Sequence, residues 1–184
     1  ATLVMTSTLR AAQARAGVFE RAHEVGTAVQ ATTYVAEPAT FQGIVRADGR
    51  AATRNYIGVL TSVNCSATAA RAIADQFRRD IHPEALADYP NIDGVVALTH
   101  GAGCATDSEG EELQVLRRTL GGYARHANFA AVLVVGLGCE TNQIQGLMAQ
   151  EGLQAGARLH AFSIQESGGT AKTVAAGVAG VKAM

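Results

Sequence analysis

Cys65, Cys104 and Cys139 are the only cysteines in the chain, and each follows the end of a short apolar run. A thiolate is both a soft metal ligand and a nucleophile, so three at equivalent places pose a question of chemistry. Three thiolates with one open position suit an iron–sulfur cluster that grips a substrate hydroxyl. A mononuclear Fe(II) or Mn(II) site would instead prefer His100, Glu140 and other carboxylates, with the cysteines secondary. Cys104 or Cys139 near His100 would make a thiol nucleophile with an imidazole base. Taken singly, each cysteine also reads as a small buried hydrophobe. Recurrence at three run ends favours the chemical readings.

The elements that must position these thiols are strands. Residues 56–60, 94–98 and 131–135 are short runs rich in Val, Leu and Ile, bounded by Gly, Ser or Asn, and they predict strands buried on both faces. Helix-length segments separate them. One runs over 66–81, capped by Ser66, with Ala69, Ala70, Ile73, Ala74 and Phe77 on one face. The next is capped by Asp107 or Ser108, with Glu109, Glu111 and Glu112 in its first turn. A third covers 142–150, a fourth strand 158–164 and a last helix 170–184, while a short strand over 41–46 and a turn at Asp48-Gly49-Arg50 open the series. This alternation predicts an α/β, Rossmann-like three-layer fold with a mostly parallel sheet.

In such a sheet the C-terminal strand ends share one edge, where ligands bind. All three thiols are therefore expected in one crevice. The loops there are Ser62–Ser66, Thr99–Cys104, Gly136–Glu140 and Gln165–Thr170. Each opens a helix, so free backbone N–H groups and positive dipole ends should converge, attract anions and lower thiol pKa values. Glycines in these loops let the backbone turn tightly and approach a ligand. Plainer readings stand beside these. His100 also fits a hydrogen-bonded loop histidine, and Glu140 and Glu166 fit helix N-terminal acids. Arg46, Arg50 and Arg54 are either solvated charges or carboxylate binders at a turn beside the crevice. His23, His82, His126 and His160 have no partners in sequence.

Composition removes several classes. The chain has 184 residues, 48% apolar and 17% charged, with a net charge of −1. That suits one ordinary globular domain with an appendage, and it leaves no electrostatic footprint for nucleic acid or an anionic membrane. No apolar run approaches the roughly 20 residues of a membrane helix. An odd number of cysteines tied to strand ends argues against a secreted disulfide framework and for a reducing cytoplasm. The chain divides near residue 41. Residues 1–40 are expected to be a linker or N-terminal arm, and 41–184 the α/β domain.

Residues Asp48 to Tyr56, then Val63-Asn64-Cys65, Thr99 to Cys104, Gly136 to Glu140, Ile164-Gln165 and Gly168-Gly169-Thr170 resemble, in that order, the central domain of the galactarate/altronate dehydratase family. The resemblance covers about residues 41–184. One departure is Ala105, where the family often has Gly. The resemblance implies a carbon–oxygen lyase, a hydro-lyase that dehydrates a sugar acid such as altronate or galactarate with a divalent metal, usually iron. It also implies a small N-terminal SAF-type domain and a long C-terminal domain, neither of them in this sequence, so the chain alone is expected to be inactive or one component. The last helix has no stop signal at the chain end, which fits a piece of a longer protein. Mapped onto this chain, the resemblance implies Cys65, Cys104, Cys139 and His100 as metal ligands. It implies His100 and Glu140 as catalytic, and Arg54, Asn64, Gly101, Gly103, Gly138, Gln165, Gly168, Gly169 and Thr170 as substrate-binding. The apolar last helix predicts a homo-oligomer. Two other functions compete: a non-catalytic anion- or metal-binding assembly domain, and a thiol-based hydrolase.

Overall fold

The computed structural model describes residues 40–184. Within them, Gln42–Met184 make one compact unit. The expectation of a linker or arm over residues 1–40 lies, but for Thr40, outside the described residues.

A two-stranded antiparallel hairpin, β1 (Ile44–Val45) and β2 (Ala51–Ala52), comes first. Its turn contains Gly49 at φ +82°, in the left-handed region that favours glycine. The core sheet follows. Its strands are β3 (Tyr56–Thr61), β4 (Gly94–Leu98), β5 (Phe129–Gly136) and β6 (Leu159–Ser163), in the order β4-β3-β5-β6. All three pairings are parallel, as expected from the alternation of runs.

Between the strands lie α1 (Ala67–Asp75), α2 (Glu111–Ala124) and α3 (Ile144–Glu151), and after β6 comes α4 (Thr170–Ala183). Side chains alternate along each strand and feed two cores. Ile57, Val59, Leu133 and Val135 pack with Ala69, Ala70 and Ile73 of α1 and Val181 of α4. Leu60, Val132 and Val134 pack with Leu120 of α2 and Ile144 and Leu147 of α3. Helices therefore cover both faces, the three-layer Rossmann-like arrangement.

Three boundaries differ from the sequence reading. Helix α1 ends at Asp75, not Ile81, because its apolar face runs out at Phe77 and Arg78 turns back to pair with Asp75 and Asp80. Ser66 precedes α1 but does not cap it; its hydroxyl donates to Val63 O and Val135 O. Helix α2 begins after Gly110, and Asp107 Oδ1 instead accepts from the Glu109 amide in a local turn.

Candidate functional site

Parallel strands put Cys65, Cys104 and Cys139 at one edge, past the C-terminal ends of β3, β4 and β5. Strand β3 has β4 on one side and β5 on the other. The chain therefore leaves β3 and β5 in opposite directions, and a crevice opens between their ends. All three cysteines are free and exposed.

The loops are stitched together from beneath. The Asn64 amide donates to Ala102 O at 2.9 Å, joining the first loop to the second. Thr141 N and Oγ1 both donate to Cys104 O, and Asn142 N donates to Gly103 O, joining the third loop to the second. The Gln165 amide donates to Leu137 O and ties in the fourth. Asn142 is fully buried. Its Nδ2 donates to Ser62 O at 2.8 Å, and its Oδ1 accepts from Arg117 Nε of α2 at 3.0 Å. Every polar atom of that side chain is therefore tied to one part or another of the loop platform.

His100 and Glu140 belong to the same platform. His100 Nε2 bonds Thr61 O at 2.9 Å, and Nδ1 accepts from the Ala102 amide. With one nitrogen donating and the other accepting, the ring is the neutral Nε2–H tautomer. Glu140 is 3% exposed. Its Oε1 accepts from the Ser62 hydroxyl at 2.7 Å and from Leu137 N, and its Oε2 from Gly138 N. Burial, the largest single influence, works to raise the Glu140 carboxyl. The Ser62 hydroxyl and the amides together outweigh it and hold the group below the ordinary glutamate range. Glu166 lies nearby and accepts from Ser163 Oγ at 2.8 Å.

The thiols interact with one another. The neighbouring Cys104 thiol is the main cause raising the Cys65 thiol above its ordinary value, desolvation and the charges of Cys104 and Cys139 add to it, and Cys65 Sγ itself donates to Asn64 Oδ1 at 3.7 Å. The expectation that helix N-termini would lower every thiol here is thus reversed at Cys65, where sulfur faces sulfur. Among the described residues, no three His, Cys, Asp or Glu side chains are drawn together as a ready set for a single ion. The three sulfurs lie at this edge, that of Cys65 with its bond to Asn64 Oδ1. They are soft and exposed, and they fit an iron species that takes thiolates.

Other expected ligand contacts divide. Asn64, Gly101, Gly103 and Gly138 lie in the first three loops, and Gln165, Gly168, Gly169 and Thr170 lie at the end of β6 and the start of α4. Gly138 has φ +124°, and a Cβ there would lie 2.5 Å from Gln165 Oε1. Gly103 has φ +95°, and a Cβ would lie 2.6 Å from Ser62 O. A small cavity of about 120 Å³ lies beside Gly138, lined in part by Glu140, Ser163 and Gln165.

Arg54 does not join this edge. It precedes β3, whose six residues span roughly 20 Å, so it stands at the other end of the sheet. There its amide donates to Asn128 Oδ1 and its Nη1 to Thr53 O. A mainly apolar cavity of about 170 Å³ lies at that far end too, between Ile57, Phe77, Leu86, Tyr89 and Met184, remote from the thiols. The cations that do reach the cysteine edge are ones the sequence reading passed over. Arg71 of α1 donates to Thr99 Oγ1 at 2.9 Å. The Lys172 side chain of α4 folds along Gly168. Ser62, Asn142 and Arg117 were missed as well; the one local signal was a polar residue directly after an apolar run.

No helix among the described residues is long and apolar enough to cross a membrane. No solved structure matches the chain. Altronate dehydratase of Bacillus subtilis (strain 168) is 32% identical over 149 residues, covering 81% of this chain and 28% of that protein. Altronate dehydratase of Escherichia coli (strain K12) is 35% identical over 99 residues, 54% of this chain and 19% of that protein. The chain thus spans under a third of the length of these relatives. The family of the D-galactarate dehydratase/altronate hydrolase second domain matches residues 43–184. With the thiol edge and the loop platform both inside that span, the chain belongs to the D-galactarate dehydratase/altronate hydrolase family, as its second domain.

Proposed function

We propose that this domain takes part in dehydrating a sugar acid such as altronate or galactarate, as the substrate-facing half of a metal-dependent hydro-lyase. The observation that carries this reading is the convergence of Cys65, Cys104 and Cys139 on one strand edge, beside Gly-rich loops that open helices.

Dehydration removes a proton α to the carboxylate and expels the β-hydroxyl, so water leaves. When bound, an iron centre on the thiols supplies Lewis acidity for the departing hydroxyl. The chain's own residues bind and orient. Arg71 and Lys172 suit a substrate carboxylate, and the first turn of α4, whose Gly169 cap offers no side chain, leaves amides for it. Asn142 and Glu140 keep the loops in place. His100 has both nitrogens committed to the backbone, which supports a proton-abstracting base supplied by the family's C-terminal domain rather than by His100. The same commitment removes the imidazole partner that a thiol hydrolase needs.

The free thiols suit a reducing cytoplasm. Helix α4 packs on α1 through Gly177 and leaves Ala171, Ala175, Ala176 and Ala179 exposed, a face suited to a second copy or a further domain. Calorimetric titration of the iron-loaded chain with altronate and galactarate, without oxygen, tests the reading. Saturable binding that weakens by about tenfold or more in Arg71→Ala is expected. Absence of binding to either acid overturns it and leaves the assembly-domain reading.

A further inference from the structure

We propose that the end of the sheet opposite the cysteines holds a second binding site, for a small organic dianion with an apolar body, such as a nucleoside monophosphate. The inference is independent of the dehydratase reading above.

The site is a cavity of about 310 Å³ where β5 and β6 begin. Arg125 and His126 stand shortly before β5 and Arg158 just before β6, and Arg50, at the end of the hairpin turn, lines the cavity too. The length of β5 separates this end from the cysteine edge by roughly 25 Å. Three arginines and a histidine thus face the cavity, and among the described residues no Asp or Glu lines it. Phe129, Val132, Leu153 and Leu159 supply an apolar floor. An apolar concavity with a few convergent charges is how small-molecule sites are built.

The guanidiniums are held in place and still have donors to spare. Arg158 Nε donates to Ala130 O at 2.7 Å, and its Nη2 to Phe129 O. Arg125 donates through Nη1 and Nη2 to Glu151. Arg50 is anchored to Asp48 and to Arg125 O. A guanidinium has five N–H groups, so Arg158 and Arg125 each keep three for a ligand. His126 Nδ1 accepts from the Asn128 amide, so Nε2 carries a proton that it can donate. Side chains fixed in this way lose little freedom when a ligand arrives.

Charge balance gives the valence of the ligand. Asp48 pairs with Arg50, and Glu151 pairs with Arg125. Neither Arg158 nor its neighbour Arg46 makes an ion pair among the described residues. Arg46 Nε donates to Ala127 O instead. Burial and the charge of Arg158 push the Arg46 guanidinium below its ordinary value, as expected of two cations without an anion between them. Two positive charges are therefore left over. A phosphate monoester carries close to two negative charges at neutral pH and accepts paired guanidinium bonds. The apolar floor suits a nucleobase and gives the hydroxyls of a sugar acid few partners.

The test is calorimetric titration of the full chain at low ionic strength with adenosine monophosphate, adenosine, inorganic phosphate and galactarate. Adenosine monophosphate is expected to bind once per chain with a Kd below about 1 mM, and the other three about tenfold more weakly or worse. Arg158→Ala, with folding checked by circular dichroism, should weaken it by about tenfold. Gln154→Glu sets a carboxylate at an exposed position of the lining, so it should weaken binding as much while leaving the fold intact. Arg71→Ala, at the other end of the sheet, should leave it unchanged. No binding of adenosine monophosphate, or binding that survives both Gln154→Glu and a folded Arg158→Ala, would overturn the site. So would binding lost in Arg71→Ala, which would put the ligand at the thiol edge. Galactarate or inorganic phosphate bound as tightly as adenosine monophosphate would overturn the ligand class.

Discussion

The Ser62 hydroxyl donates to Glu140 Oε1 at 2.7 Å, across 78 residues of sequence, and so joins the ends of β3 and β5 beneath the cysteine crevice. Both residues are buried. The bond links a strand-end serine to the carboxylate that also holds the amides of Leu137 and Gly138. It fixes the separation of two of the three cysteine loops.

That relationship predicts an acid-sensitive fold. The Glu140 carboxyl titrates below its unfolded value, so its stabilising effect is present above about pH 4.3 and is lost as pH falls through the folded value. Urea unfolding at neutral pH should show Glu140→Gln less stable by about 1–3 kcal/mol, since the amide nitrogen that replaces one oxygen cannot accept. Near pH 3 the gap between variant and parent should narrow. A gap that widens on acidification would show the shift to be in the other direction.

Gly138 and Gly101 should behave differently. Gly138→Ala forces a side chain at φ +124° against Gln165, at a cost of about 1–3 kcal/mol. Because Gln165 can move, the larger effect should fall on iron content and altronate affinity. Gly101 has open space where a Cβ would go, so Gly101→Ala should change stability by less than about 0.5 kcal/mol. Thermal melts paired with iron analysis of both variants would decide it.

Arg54 and Arg71 form a second contrast. Arg71 reaches the thiol edge through Thr99, while Arg54 lies at the opposite end of the sheet. Arg71→Ala should weaken altronate binding by about tenfold or more, the loss of one charge-assisted contact. Arg54→Ala should leave binding and iron content unchanged. Equal losses in both variants, read by calorimetry, would put the substrate elsewhere.

Helix α4 crosses α1 at Gly177, where an added methyl would overlap the Ile73 side chain. Gly177→Ala should therefore destabilise by about 1–3 kcal/mol through overpacking. Ile73→Val in the same chain should recover part of that loss. Chemical denaturation of the two single variants and the double variant gives the coupling directly.

Much of this was legible in the sequence. Strands β3, β4 and β5 announce themselves as Val-, Leu- and Ile-rich runs because a parallel sheet buries both faces, and strand polarity alone brings the cysteines to one edge. Local chemistry misled where a polar residue had two possible partners. Ser66 and Asp107 look like caps, yet one hydroxyl serves carbonyls across the sheet and the other side chain serves its own turn. Arg54 was placed by its motif, although a residue just before a strand lies a full strand length from the residues just after it. Ser62, Asn142 and Arg117 act through bonds between residues 25 to 80 apart, and no local pattern carries that information.

The strand order β4-β3-β5-β6 has a consequence for how the chain is made. Strand β3 pairs with β4 on one flank and β5 on the other, so Cys65 and Cys104 belong to neighbouring strands that both precede β5 and Cys139 in the chain. Pairing of parallel strands waits on closure of a long crossover, so it is slow relative to local helix formation. Oxidant present during that wait would cross-link the pair and block the crevice before its third wall arrives. A reducing medium during synthesis is therefore expected to raise the yield of chains with all three thiols free.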